Sequence, residues 1–155
     1  MLLSKGQRVA DELLEFLRPF CERIEVAGSI RRKKSEVHDV DLVLIPKPLT
    51  DVVGTLQQSM NAKVSKHGLK IATLQIEGVG VDVNFATRDN FDALLLFRTG
   101  SEYHNERLAR KAKRLGLTFS PYGVFTQNGV RLDDNTEEGI FSVVEEEFRE
   151  PEERG

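Results

Sequence analysis

Between residues 5 and 20 the apolar side chains Val9, Leu13, Leu14, Leu17 and Phe20 recur every three or four positions, with charges between them. That period puts them on one stripe of an amphipathic helix. The pattern then changes. Residues 22–27, ERIEVA, read as a short strand running into Gly28, and residues 39–45 read as a second strand stopped by Pro46 and Pro48. A helix is predicted over 50–60, with Thr50 or Asp51 as its cap. Three strand-like pieces follow at 62–66, 70–76 and 79–86. Gly68 and the Gly78/Gly80 pair punctuate them as antiparallel hairpins.

Helical spacing returns at 90–98, with Phe91, Leu94, Leu95 and Phe97 inward, and at 102–115, with Leu108, Ala112 and Leu115 on one side. Gly100 breaks the first of these helices and Gly116 ends the second. Asn128-Gly129 predicts a hairpin between Val124-Phe125 and Val130–Leu132. A last helix over 136–148 presents Ile140, Val143, Val144 and Phe148. This order predicts an α+β chain with two lobes, residues 1–88 and 89–155.

Composition narrows the class. The 155 residues are 39% hydrophobic and 30% charged, an ordinary globular balance with enough length for a core. Leu42–Ile45 and Ala93–Phe97 are the longest apolar runs, too short to span a bilayer. The first residues carry acids early and lack a small-residue cleavage site, so no secretory signal is expected. A single cysteine, Cys21, excludes an internal disulfide and fits a reducing compartment. A cytoplasmic location, nucleoid-associated in a prokaryote, is the expectation. The net charge of −3 is unevenly spread. Arg31–Lys34 is wholly basic and residues 107–114, RLARKAKR, hold five cations and no acid, whereas the chain from Asp133 is mostly acidic. An acidic chain can still present one basic face. The same cations also fit a solvated helix face.

The chemistry concentrates in residues 27–46, AGSIRRKKSEVHDVDLVLIP. On a strand, Asp39 and Asp41 point to the same side, and two such carboxylates repel. A D-x-D pair alone also suits a solvated edge or turn. Asp82, set in the apolar run VGVDVNFA, supplies a third acid in the same kind of setting. A divalent cation reverses the repulsion, and hard oxygen ligands favour Mg²⁺ or Mn²⁺. Gly28-Ser29 at a strand-to-helix turn offers backbone N–H groups and a hydroxyl to a phosphate, and Arg31 or Arg32 can add a planar fork.

GSIRRKKSEVHDVDLV resembles the Gly-Ser, Asp-x-Asp signature of the nucleotidyltransferase superfamily. Within it, VDVNF, LLLFRTGSEYHNERL, YGVF and FREPEER are similar to family X DNA polymerases, the group of DNA polymerase beta, over nearly the whole chain. The resemblance implies a palm with a mixed β-sheet packed on helices and a small α+β C-terminal thumb. Asp39 and Asp41 would hold two Mg²⁺ ions, with Mn²⁺ as a substitute, and Asp82 would join them at the catalytic one. Gly28, Ser29, Arg32 and His38 would face the triphosphate. Phe97, Arg98, Thr99 and Gly100 would pack against the incoming sugar, and Asn105 would reach the minor-groove edge of the base. Lys70 would lie near the nucleic acid, with Arg107, Arg110, Lys111 and Arg114 on the strand backbone. The remaining cations of the 31–34 run are left to solvent or DNA.

The implied activity is addition of deoxynucleotides to a primer/template or gapped DNA 3′-end, by a monomer working beside DNA-repair proteins. The resemblance leaves no room for a lyase domain or helix-hairpin-helix clamps, so weak, salt-sensitive DNA binding is expected. Gly80, Asn84, Arg98 and Ala109 depart from the family pattern. Template-independent addition, transfer to an RNA end, small molecule or protein, and a non-catalytic binding module are the competing readings.

Overall fold

The computed structural model describes residues 1–155. Helix α1 (Leu3–Leu17) buries Val9, Ala10, Leu13 and Leu17. It ends before Phe20 because Pro19 cannot donate to the helical ladder, and Arg18–Phe20 tighten into a 3₁₀ turn. Strand β1 (Cys21–Val26), the short helix α2 (Gly28–Arg31), β2 (Val40–Pro46), α3 (Val52–Met60), β3 (Lys63–His67), β4 (Ile71–Ile76) and β5 (Val79–Phe85) follow. The Asp51 side chain caps α3 by accepting from the Gly54 amide at 2.9 Å.

The five strands form one mixed sheet in the order β1-β2-β5-β4-β3. Neighbours are antiparallel except β2 and β5, which run parallel. That parallel pair needs a crossover, and α3 with the β3–β4 hairpin provides it. Glu77 and Gly78, both with positive φ, close the tight β4–β5 hairpin. Side chains alternate across the sheet. Val40, Leu42, Leu44, Ala72, Leu74, Val81 and Val83 join α1 and α3 in a core of 21 buried residues. Asp41, Thr73 and Asp82 occupy the other face.

Helix α4 (Phe91–Thr99) is buried on two sides. Phe91, Leu94 and Leu95 pack on Ala27, Val43 and Ala86 of the sheet lobe. Ala93 and Leu96 enter a second core with α5 (Glu102–Arg114), β6 (Leu117–Ser120), β7 (Gly123–Thr126) and α6 (Glu137–Val143). The expected Asn128-Gly129 turn forms, but the segment after it meets Phe125 only as an isolated bridge to Arg131. The laddered hairpin is β6–β7 instead. Phe119 is buried in the core, whereas Val130 and Leu132 stay exposed, so burial selects the earlier partner. Leu115 is likewise exposed rather than on the apolar face of α5. Helix α6 stops at Val143, and Glu145 takes a positive φ, although Val144 still reaches the core.

One buried ion cluster joins the lobes. Glu137 of α6 accepts two hydrogen bonds from Arg31 at 2.7 and 2.9 Å. It accepts two more from Arg154 at 3.1 and 3.4 Å. Burial pushes the Glu137 carboxyl upward, but the two guanidinium groups outweigh it and hold the pKa below the usual value. Arg31 is therefore an internal tie, not a residue left to solvent or DNA.

His104 of α5 is buried against Phe141, ring centroids 5.5 Å apart, with neither nitrogen hydrogen-bonded. Burial first, then Arg154, Arg149 and Arg107, lowers its pKa to about 4, with Glu146 opposing. The unfolded chain therefore binds this proton more readily. Stability is full above pH ~6.5, falls as the pH drops towards 4 and then levels, a loss on the order of 3 kcal/mol. His104→Phe should flatten that limb in urea titrations between pH 7 and 4; an unchanged slope would contradict the assignment.

Candidate active site

The site begins where two strands start together. Asp41 and Asp82 are register partners in the parallel β2–β5 pair, so their carboxylates stand side by side. Asp39 precedes β2, is exposed and projects to the same side. Two glycines make room for this. Gly28 has φ +63°, and a Cβ there would fall within 3.0 Å of Asp41 Oδ2. A Cβ on Gly80 would fall equally close to Asp39 Oδ1. Gly80 has no unusual φ, so its substitution isolates the steric effect. Gly80→Ala should displace the Asp39 carboxylate with little change in melting temperature, which a crystal structure and thermal melting of the variant would check. An Asp39 carboxylate left in its wild-type position would show that this contact does not set its place.

Burial, then the Asp82 and Asp39 carboxylates, raises the Asp41 pKa to about 6, with Arg98 and Arg32 pulling the other way. The cluster thus carries more negative charge than its surroundings balance. The side chains are also spread: no three His, Cys, Asp or Glu side chains are gathered tightly enough to form a ready metal cluster. Asp39 lies over Gly80, Asp41 over Gly28, and Asp82 accepts from the Thr73 hydroxyl at 2.7 Å. The all-carboxylate donor set and its uncompensated charge fit a hard divalent cation such as Mg²⁺ or Mn²⁺.

Beside the carboxylates lies a cleft of about 710 Å³. The sheet lobe lines it with Gly28, Ser29, Arg32, His38, Asp39 and Asp41. Across it stand Phe97, Arg98 and Gly100, then Glu102, Asn105, Glu106 and Ala109 of α5, with Phe119 behind. Arg32 spans the two sides, donating from Nη1 to the Thr99 carbonyl at 2.5 Å. Asn105 Nδ2 donates to the Phe97 carbonyl at 2.7 Å, and Phe97 rests on Phe119, ring centroids 5.8 Å apart. Thr99 is not on the cleft: its buried hydroxyl donates to the Leu95 carbonyl and accepts from Arg31.

A second groove of about 580 Å³ runs past Arg98 to Lys70, Leu69 and Tyr122. The Lys70 ammonium hydrogen-bonds the Tyr122 hydroxyl and sits 5.0 Å from the ring centroid. The basic helix divides. Arg107 and Lys111 pair with Glu146, at 2.7 and 3.3 Å, so they brace the C-terminal lobe instead of standing free. Arg110 and Arg114 are exposed and unpaired. Sequence reasoning missed Thr73, the contact of Gly80 with Asp39, and the acidic wall of Glu102 and Glu106. The i, i+4, i+7 spacing of Glu102, Glu106 and Ala109 was the available signal for the last.

Comparison with known proteins points the same way. Residues 93–155 match the DNA polymerase beta thumb family. Over 125 residues the chain is 32% identical to the DNA polymerase/3′-5′ exonuclease PolX of Bacillus subtilis (strain 168). The match covers 77% of this chain and 22% of that protein, so the chain spans about a fifth of its relative's length. The thumb match over residues 93–155, the α+β fold around a mixed sheet and the PolX likeness together support a family X DNA polymerase-like protein.

Proposed function

We propose that the chain transfers a deoxynucleotide to a DNA 3′-hydroxyl, with release of pyrophosphate, as in gap filling or break repair. The observation that carries this reading is the Asp41–Asp82 register pair, with Asp41 and Asp39 lining a cleft large enough for a nucleotide. Asp39 and Asp41 would hold two Mg²⁺ ions and Asp82 would join at one, supplying hydroxyl activation and charge neutralisation on the triphosphate. Ser29, the Gly28-Ser29 backbone and Arg32 bind the phosphates. His38 stands at the same mouth. Phe97 packs on the sugar and Arg98 adds charge beside Asp41. Asn105, which lines the cleft, would exchange its Phe97 contact for the base edge. The 3′-oxygen attacks the α-phosphorus, its proton passes towards the Asp82 carboxylate, and the bond to the bridging oxygen of pyrophosphate breaks. Arg110 and Arg114, with Lys70 across the groove, bind strand phosphates. The sheet lobe and C-terminal lobe act as palm and thumb.

One observation favours a second reading, addition without a template. The α5 wall presents the unpaired carboxylates of Glu102 and Glu106, and no cation, to the cleft. A substrate panel separates the two: one-nucleotide-gapped, recessed and blunt DNA, each dNTP or rNTP, with Mg²⁺ or Mn²⁺. Templated incorporation of dNTPs at gaps is expected. Equal incorporation of any base at blunt ends would favour the second reading, and no incorporation on any substrate would overturn both.

A further inference from the structure

Asp82 has a partner that the polymerase reading does not use. Thr73 of β4 is its register partner across the antiparallel β4–β5 pair. Its hydroxyl donates to Asp82 Oδ1 at 2.7 Å, and no other protein group donates to that carboxylate. We propose that Thr73 is a positioning residue, whose hydroxyl pins the Asp82 carboxylate beside Asp41 and leaves Oδ2 as the free oxygen. The inference rests on the role given to Asp82 above.

Three observations carry it. Asp41 and Asp82 stand on adjacent strands with like charge, so an unrestrained Asp82 would favour rotamers that swing away. A hydrogen bond to an ionised acceptor is among the stronger ones and opposes that swing. Next, the strand does not need this hydroxyl. Valine has the same shape and at least as good a strand preference at a half-buried position. Finally, the neighbouring Ser65 contact goes to the Thr73 backbone carbonyl at 3.1 Å, so no other side chain uses the Thr73 hydroxyl. Ala72 and Leu74 point into the core, and alternation leaves Thr73 on the carboxylate face.

The test compares Thr73→Val with Thr73→Ser in the full chain. Mn²⁺ alone is titrated into each protein and followed by electron paramagnetic resonance. Incorporation and melting temperature are measured alongside. Thr73→Val should weaken Mn²⁺ binding by about 10- to 100-fold, the usual effect of losing a residue that orients a metal ligand. Incorporation should fall through kcat more than KM. Thr73→Ser should stay near wild type, and neither variant should melt much earlier. Unchanged Mn²⁺ affinity in Thr73→Val overturns the proposal. So does an equal loss in Thr73→Ser, because a variant that keeps the hydroxyl would then do no better than one that lacks it. Mn²⁺ binding that shows the valine–serine split, without incorporation by the wild type, would retain the Thr73 role and remove only the polymerase reading.

Discussion

Asp82→Ala is expected to lower nucleotide incorporation by at least about 10³-fold, several kcal/mol of transition-state stabilisation, while the fold holds or gains stability. The two halves have one cause. Asp82 is the strand neighbour of Asp41, and its charge is among the groups that raise the Asp41 pKa to about 6. Removing it relieves a repulsion that the folded state bears. A loss of rate together with an unchanged or higher melting temperature would mark a group retained for chemistry at the expense of stability. Single-turnover incorporation and thermal melting of the same preparations measure both. A rate within a few-fold of wild type would remove Asp82 from the reaction.

The largest structural effect should come from Glu137→Ala. It strips the shared acceptor from Arg31 and from the fully buried Arg154. Two guanidinium groups then lie in the interior without a counter-charge. Breaking a buried pair from one side costs about 3–5 kcal/mol, and here two pairs go at once. A drop in melting temperature on the order of 10 °C follows for a chain of this size. Arg31 also adjoins Arg32 on the α2 turn that carries Gly28 and Ser29, so incorporation should fall as well. Glu137→Gln keeps a carbonyl acceptor and should lose less. A melting temperature within a degree of wild type for Glu137→Ala would show that the cluster contributes nothing.

Much of this molecule was readable from residue order, and the parts that were not share a physical reason. Helix α1, the sheet strands and α4–α5 announce themselves because their apolar periods are local. The D-x-D pair and Asp82 stood out because acids are rare inside apolar runs. The apolar stripe of helix α1 overruns its C-terminal end by three residues because Phe20 continues the pattern past Pro19. Strand β6 was overlooked because four residues carry too little alternation to register. What sequence could not reveal is pairing over distance. Arg31 and Glu137 lie at opposite ends of the chain, and nothing near either names the other. Arg107 and Lys111 looked free because Glu146 arrives from a different helix end. Thr73 looked like any β-branched strand residue until the β4–β5 register set its hydroxyl on Asp82.

The parallel pairing of β2 with β5 also governs when the candidate site can form. Its two acids are delivered by strands between which α3 and the β3–β4 hairpin must first be laid down. Contacts of that separation close late, after local helices and hairpins. A nascent or partly unfolded chain therefore cannot hold the carboxylates together, whatever helical content it has. The Asp41–Asp82 pair is assembled only once the sheet is whole, and any activity proposed for it waits on that closure.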